Sequence, residues 1–402
     1  MIKVAIMGCG TIGSGVYEVI EENQAILKKE LGDEIRVSRI LDLREFPGTP
    51  YEKLVTGDFS AIEKDPEISI VVETMGGTKP AYQFVKACLL AGKHVVTSNK
   101  ALVAAHGTEL LQIARDKNIN FLFEAAVGGG IPVIRTLGTG YAGQEIMEIT
   151  GILNGTTNYI LTEMDRRGTS FGDALAEAQR LGYAERNPEA DVEGFDTCRK
   201  IAILTSLVTD SEVNFEQIHT EGITKIDTTD FAYAKKLNAN IKLVGSAVRE
   251  NGRVAVSVCP KLIPEDNPLY GVSGVFNGIL IRGNMLGVTM LYGSGAGKLP
   301  TASAVLADII EAAKNMDRNV PFGWHEGQTV PEPMEDSLHR YLIRFKGSDS
   351  AKAKAVFADA EAVSPDGEAV GEEFALFTGV MREKDMQAAA AQFDNIIKVI
   401  RA

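Results

Sequence analysis

The sequence predicts an α/β protein in three parts: an N-terminal parallel sheet flanked by helices, an α+β middle, and a small C-terminal α+β module. Three observations carry this prediction. Over residues 2–125, short β-rich runs alternate with helical patterns, the signature of βαβ units. From about residue 126 to 300, helical segments are followed by strand-like runs. Beyond Pro331 and Pro333, whose close spacing opposes both helix and strand, the pattern reads strand, helix, strand, helix, strand. A chain of 402 residues also exceeds the usual size of one core, so two or three domains are expected.

In the first part, strands are expected at residues 3–7, 35–41, 69–74, 94–97 and 120–123. A helix opens at Pro80, where a missing N–H costs nothing, and stops at Gly92, which suits the left-handed residue after a helix. In the middle part, Ser170 and Asp173 have capping-box spacing ahead of an alanine-rich run, and Gly182 follows it. Residues 183–194 are left as a loop, and strand-like runs follow at 253–259 and 278–281. At the end, strands at 341–345, 374–380 and 396–400 alternate with helices at 351–360 and 384–393. The connection 361–373 is acidic and carries no obvious extra strand.

Composition narrows the function classes. A formal charge of −13 opposes nucleic-acid binding, which depends on cationic side chains displacing counterions. No stretch approaches the roughly 18 uninterrupted apolar residues of a membrane helix, so no membrane partner is expected. The partner class left is a small molecule. Cys9, Cys88, Cys198 and Cys259 have neither CxxC nor Cys/His spacing, so no zinc site or disulfide framework is suggested, and a reducing compartment fits. The opening strand has no basic segment and apolar signal core ahead of it, and a cytoplasmic protein is the expectation.

The chemistry begins at Gly8-Cys9-Gly10-Thr11-Ile12-Gly13, which follows an apolar strand and opens a long helix. Glycines there make a tight turn and let a pyrophosphate approach the amides of Thr11, Ile12 and Gly13, so a Rossmann-type dinucleotide site is expected. Asp42 ends the second strand, where a carboxylate accepts from a ribose 2′-hydroxyl and repels a 2′-phosphate; Arg39 and Arg44 flank it and could instead clamp that phosphate. The reading favours NAD and leaves NADP open. Thr74 and Gly76 in one segment, and Ser98 and Lys100 in another, end two further strands on the edge where open α/β sheets bind ligands. Residues 182–200 are dense in carboxylates and lead into an apolar helix on which Asp196 and Lys200, four apart, share a face. A bland account, a helix-dipole acid with a surface ion pair, is equally open from spacing alone. Carbonyl reduction needs a hydride donor, a proton donor and groups that hold the substrate; a lysine beside carboxylates can donate that proton, and the carboxylates can receive a substrate ammonium group.

Taken together, these segments resemble the homoserine dehydrogenase family over residues 1–320. The resemblance rests on the glycine loop, Val72-Glu73-Thr74-Met75-Gly76-Gly77, Ser98-Asn99-Lys100, residues 123–132, Gly151-Ile152-Leu153-Asn154-Gly155-Thr156-Thr157-Asn158, residues 182–200, and a glycine-rich return at 293–305 that includes Gly297. It implies interconversion of L-aspartate 4-semialdehyde and L-homoserine with NAD or NADP. Lys200 is then the proton donor, and Lys100 assists at the same oxygen or orients the substrate carboxylate. Glu185, Asp191 and Asp196 hold the substrate or orient Lys200, and Thr156 and Tyr183 line the pocket. A sodium or potassium site on main-chain oxygens maps to Glu124, Val127, Gly129 and Ile131. A homodimer or homotetramer through the middle domain is implied, and residues 338–402 resemble a shortened ACT module. The resulting organisation is 1–127 with about 300–325 for dinucleotide binding, 128–299 for substrate binding and dimerisation, a linker at 326–337, and the module.

Two other classes remain for comparison. A phosphorylating aldehyde dehydrogenase would require a cysteine nucleophile. A non-catalytic nucleotide or amino-acid sensor would have no need of Lys100, Glu185, Asp196 and Lys200 together.

Overall fold

Strands covered on both faces need apolar residues at nearly every position, and Val4, Ile6, Ile35, Ile40, Ile70, Val72 and Val96 are all buried. In the computed structural model, which describes residues 1–347, 350–365 and 372–402, they build a six-stranded parallel sheet. Its strands are β1 (Ile2–Met7), β2 (Ile35–Leu41), β3 (Val55–Thr56), β4 (Ile68–Glu73), β5 (His94–Thr97) and β6 (Phe121–Leu122). The order is β3-β2-β1-β4-β5-β6, with every pairing parallel. Strand order reverses between β1 and β4, the switch point outside whose carboxyl ends such sheets bind ligands. The glycine loop follows β1 there, and Thr74 to Gly77 follow β4.

All five expected strands are present, and two-residue β3 is an addition. The expected helix runs Ala81–Leu90; Pro80 stands just before it as the capping residue, and Gly92 adopts a left-handed φ of 80°. The chain divides into two units: residues 1–144 with 202–215 and 291–329, and residues 145–201 with 216–290 and 330–402. Within the first, Ala302, Val305 and Ile309 of the helix Lys298–Lys314 share a core with Val16 and Ile20 of the helix Thr11–Glu22. Among the described residues, no helix is long and apolar enough to cross a membrane.

The second unit is organised on a mixed sheet. Within the unit its strands run in the order Phe276–Gly283, Ile146–Ile152, Ala239–Glu250, Arg253–Pro264, Ile396–Arg401, Tyr341–Lys346, Glu373–Phe377 and Glu361–Val363. Ala239–Glu250 and Arg253–Pro264 form a long hairpin closed by Asn251 and Gly252, both at positive φ (51° and 77°), the conformation that a two-residue turn matched to strand twist requires. The expected loop at 183–194 contains a short helix, Glu189–Val192.

The C-terminal residues do contain the strand that composition did not reveal: Glu361–Val363 pairs antiparallel with Glu373–Phe377. It escaped because three residues carry too short an alternation to read; the rest of that connection, 366–371, lies outside the described residues. The C-terminal strand Ile396–Arg401 joins the hairpin through the parallel pair Lys261–Arg401.

Two buried arginines brace that junction. Arg344 donates to Asp227 (2.9 Å), Asp230 (2.5 Å) and Glu373 (3.1 Å), and Asp227 with Asp230 forms the capping box of the helix Thr228–Lys236. Arg401 forks onto Glu383 (2.9 and 2.7 Å) and reaches Glu221 at 2.9 Å. Removing one partner of a buried ion pair strands the other's charge. Arg344→Met is therefore expected to lower unfolding stability by about 3–5 kcal/mol, read as a shift in denaturant midpoint; a change within about 0.5 kcal/mol, the usual range for surface substitutions, would show that the cluster is not held as described.

Candidate active site

In the first unit, the glycine loop has both the shape and the free space of a nucleotide cradle. Gly8 adopts a left-handed φ of 94°. A Cβ at Gly13 would lie 1.9 Å from the Gly8 carbonyl oxygen, so no side chain fits, whereas a Cβ at Gly10 would meet nothing within 4 Å. Thr74 fixes the turn by donating its hydroxyl to the Gly8 carbonyl at 2.8 Å. The helix beginning at Thr11 directs its first amides, including those of Ile12 and Gly13, out of the helix end, where anionic phosphate is favoured. These residues fit a dinucleotide.

Asp42 ends β2 and serves the loop directly. Its carboxylate accepts the Cys9 amide at 2.8 Å and is gripped by Arg44, whose Nε and Nη2 each approach at 2.9 Å. The Arg44 fork, aided by backbone donors, holds the Asp42 carboxyl far below its ordinary range. Arg39 donates to the Ser38 carbonyl on the exposed side.

Lys100 is the first residue of the helix Lys100–Asp116, capped by Asn99, which accepts from Leu102 at 3.1 Å. Ser98 donates its amide to the Glu73 carbonyl at 3.3 Å. Glu73, fully buried at the end of β4, gathers this corner: its carboxylate accepts from Thr97 (2.6 Å), the amides of Met75 (2.8 Å) and Gly76 (3.3 Å), and Asn99 (3.4 Å). Burial pushes the Glu73 carboxyl up against the pull of those donors. The sequence reading quoted Glu73 and Asn99 but gave them no role; their position at two adjacent strand ends was the available signal.

Residues 124–131 fold tightly within the same unit. Glu124, Val127, Gly129 and Ile131 are all buried, and a Cβ at Gly129 (φ 55°) would come within 2.5 Å of the Gly295 backbone. The Glu124 carboxylate accepts the amides of Ile134 (2.9 Å) and Arg135 (2.6 Å), while buried Asp308 accepts the Glu124 amide at 2.8 Å. Gly297, at φ 121°, caps the helix that carries Asp308. Among the described residues, no group of three or more His, Cys, Asp or Glu side chains is arranged to hold a metal ion.

In the second unit, the helix Phe195–Thr209 carries Asp196 in its first turn and Lys200 one turn on. Both are buried, at 4% and 8% exposure, which removes the bland surface-pair account. The Lys200 ammonium donates to Asp196 at 2.6 Å and to the Leu153 carbonyl at 2.7 Å. Asn154 donates from one nitrogen to Asp191 (2.7 Å) and Asp196 (2.8 Å), bringing the two carboxylates together. Thr156 donates its hydroxyl to the Tyr183 carbonyl at 2.5 Å, and the half-exposed Tyr183 ring packs edge-on against Tyr159. Glu185 is exposed and is tied by its main chain, whose carbonyl accepts from Gln179 at 3.0 Å. Asp191, Asp196 and Lys200 therefore form one cluster, Thr156 and Tyr183 a second contact, and Glu185 is exposed.

No cysteine is set up as a nucleophile. All four are buried, and burial pushes each thiol up, Cys88 to about 12, so that a reactive thiolate is disfavoured.

Comparison with known proteins agrees with both halves of this chemistry. The family model described as homoserine dehydrogenase, NAD binding domain, matches residues 8–124, and that described as homoserine dehydrogenase matches 132–310. The homoserine dehydrogenase of Bacillus subtilis is 40% identical over 348 residues, covering 86% of this chain and 80% of the relative. That of Synechocystis is 41% identical over 362 residues, covering 87% and 83%. A crystal structure of a homoserine dehydrogenase from Thiobacillus denitrificans superposes with a TM-score of 0.88 at 35% identity, covering 100% of this chain and 97% of that one. A hyperthermophilic archaeal homoserine dehydrogenase in complex with NADPH matches with a TM-score of 0.66 at 29% identity, covering 78% and 98%. With a nucleotide cradle on a parallel sheet, a buried lysine among carboxylates, and relatives of this likeness along most of its length, the chain belongs to the homoserine dehydrogenase family of nicotinamide-dependent oxidoreductases.

Proposed function

We propose that this chain interconverts L-aspartate 4-semialdehyde and L-homoserine, with Lys200 supplying the proton to the aldehyde oxygen. The observation that carries the proposal is the Lys200 ammonium, buried yet held at Asp196 and the Leu153 carbonyl. When bound, the nicotinamide supplies or accepts the hydride. As negative charge develops on the substrate oxygen, Lys200 transfers a proton to it; in the oxidative direction the neutral amine takes the hydroxyl proton. Asp196 keeps Lys200 oriented. Asp191, together with Glu185, receives the substrate ammonium, and Thr156 and Tyr183 bound the pocket. Lys100 assists at the same oxygen or orients the substrate carboxylate.

The remaining assignments follow the same reading. Residues 1–127 with about 300–325 bind the dinucleotide through Gly8, Gly10, Thr11, Ile12, Gly13, Asp42, Arg44, Thr74, Gly76, Ser98 and Gly297. Asp42 favours NAD over NADP, because its ionised carboxylate repels a 2′-phosphate. Main-chain oxygens of Glu124, Val127, Gly129 and Ile131 hold sodium or potassium. Residues 128–299 bind substrate and form a homodimer or homotetramer, and 326–337 link them to an ACT-like module at 338–402, supported by a βαββαβ order once the two-residue strands Leu338–His339 and Met381–Arg382 are set aside. Four buried free thiols support a cytoplasmic setting.

Asp42→Ala is expected to raise the NADP-to-NAD ratio of kcat/KM by about tenfold, the equivalent of one modest charge repulsion; an unchanged ratio removes Asp42 from cofactor choice. Lys200→Met keeps much of the stem's volume and removes the charge and all three donors. With chemistry rate-limiting, semialdehyde reduction should fall by about a hundredfold to ten-thousandfold. Near-parental turnover would place the proton donor elsewhere, with Lys100 or an ordered water next in line.

A further inference from the structure

We infer that Asn154 is a positioning residue for both ends of the substrate. This rests on the roles proposed above for Asp191, Asp196 and Lys200.

The amide is oriented by its own helix. Asn154 Oδ1 accepts from the Thr157 amide at 2.8 Å and the Thr157 hydroxyl at 3.1 Å, capping Gly155–Arg167. With the oxygen committed to the helix start, the two N–H donors face the carboxylates; the opposite orientation would set the oxygen against Asp191 and Asp196. Nδ2 then donates to Asp191 Oδ1 and Asp196 Oδ2, and the latter oxygen also accepts from Lys200.

Two like-charged carboxylates in reach of one nitrogen repel each other, and one would be driven to take up a proton. A neutral amide satisfies both without cancelling either charge. Asp196 thus stays the acceptor for Lys200, and Asp191 is held beside it. A lysine here would neutralise the site, an apolar residue would remove a donor from both carboxylates, and a serine hydroxyl could donate to one carboxylate only. Asn154 also ties Asp191, on the short helix Glu189–Val192, to the buried start of the long one.

Asn154→Ser and Asn154→Asp both keep an oxygen able to cap the helix and remove the paired donors. For Asn154→Ser, whose single, shorter donor cannot bridge the two carboxylates, the KM for homoserine is expected to rise about tenfold and kcat to fall about tenfold or more. Asn154→Asp is expected to lose more, since it adds a third carboxylate. NADH and NADPH dissociation constants, followed by the fluorescence of the reduced nicotinamide, should stay within about twofold of the parent. A purely capping role would lower the melting temperature and the active fraction, leaving the homoserine KM where it was; that result in either folded variant overturns the inference. If Asn154→Asp melts far below the parent, the uncharged serine variant carries the measurement. Lys200→Met assayed alongside separates the two ideas. An inactive Lys200→Met with an unmoved homoserine KM in the Asn154 variants defeats this inference alone. An active Lys200→Met defeats the proton-donor reading, and a raised KM at Asn154 would still assign it to Asp191.

Discussion

An ammonium group taken out of water must find its hydrogen bonds inside the protein, and the second unit is arranged around that requirement at Lys200. One bond comes from Leu153, just past the strand Ile146–Ile152, and one from Asp196, a turn earlier on the same helix. Helix register and strand end are thus fixed relative to each other by one charge. Asp196 in turn needs a second donor, which Asn154 provides while capping the next helix. Strand end, helix start and carboxylate loop all converge on the same few atoms. The local dielectric there is low, so a proton held at Lys200 is coupled to substrate charge more strongly than it would be at the surface.

The first unit meets a different constraint, close approach of backbone to ligand. Gly13 leaves no space for a Cβ beside Gly8, and Gly10 leaves open space beside itself. Shape and charge recognition are not independent here, because Asp42 both ends β2 and accepts the Cys9 amide inside the loop. Changing the carboxylate that reads the 2′-position therefore also removes a strut from the turn that cradles the pyrophosphate. Glu73 has the corresponding place at the end of β4, where it binds together the turns that precede Lys100 and follow Thr74.

Much of this was legible from residue order. Strict alternation of apolar runs and helical patterns located five of the six parallel strands, and the glycine loop lay where β1 ends. Spacing alone put Asp196 and Lys200 on one helix face, yet could not distinguish a buried pair from a surface pair, since burial depends on what packs from elsewhere in the chain. Asn154 was invisible for the same reason: its partners Asp191 and Asp196 are 37 and 42 positions away. The strand Ala239–Glu250 was missed although Asn251-Gly252 is a strong hairpin signal, because Ile241, Val244, Ala247 and Val248 fall at helix-like spacing and break the period-two alternation.

The C-terminal module illustrates a limit of reading boundaries from prolines. Pro331 and Pro333 do interrupt regular structure, but an interruption in the backbone says nothing of side chains that reach across it. Arg344 and Arg401 each bind carboxylates from residues before the prolines, at Asp227, Asp230 and Glu221, and from within the module, at Glu373 and Glu383. A single acid could have neutralised either arginine; the extra carboxylates tie both segments to the same guanidinium. Glu221 shows the electrostatic side of this. Despite partial burial, its carboxyl is pulled down to about 2 by His219 and Arg401. Its folded value lies below the unfolded one, so its stabilising contribution is full above the ordinary carboxylate range and declines as pH falls toward 2. The module is therefore attached by charge as well as by sheet pairing, and at neutral pH both attachments act together.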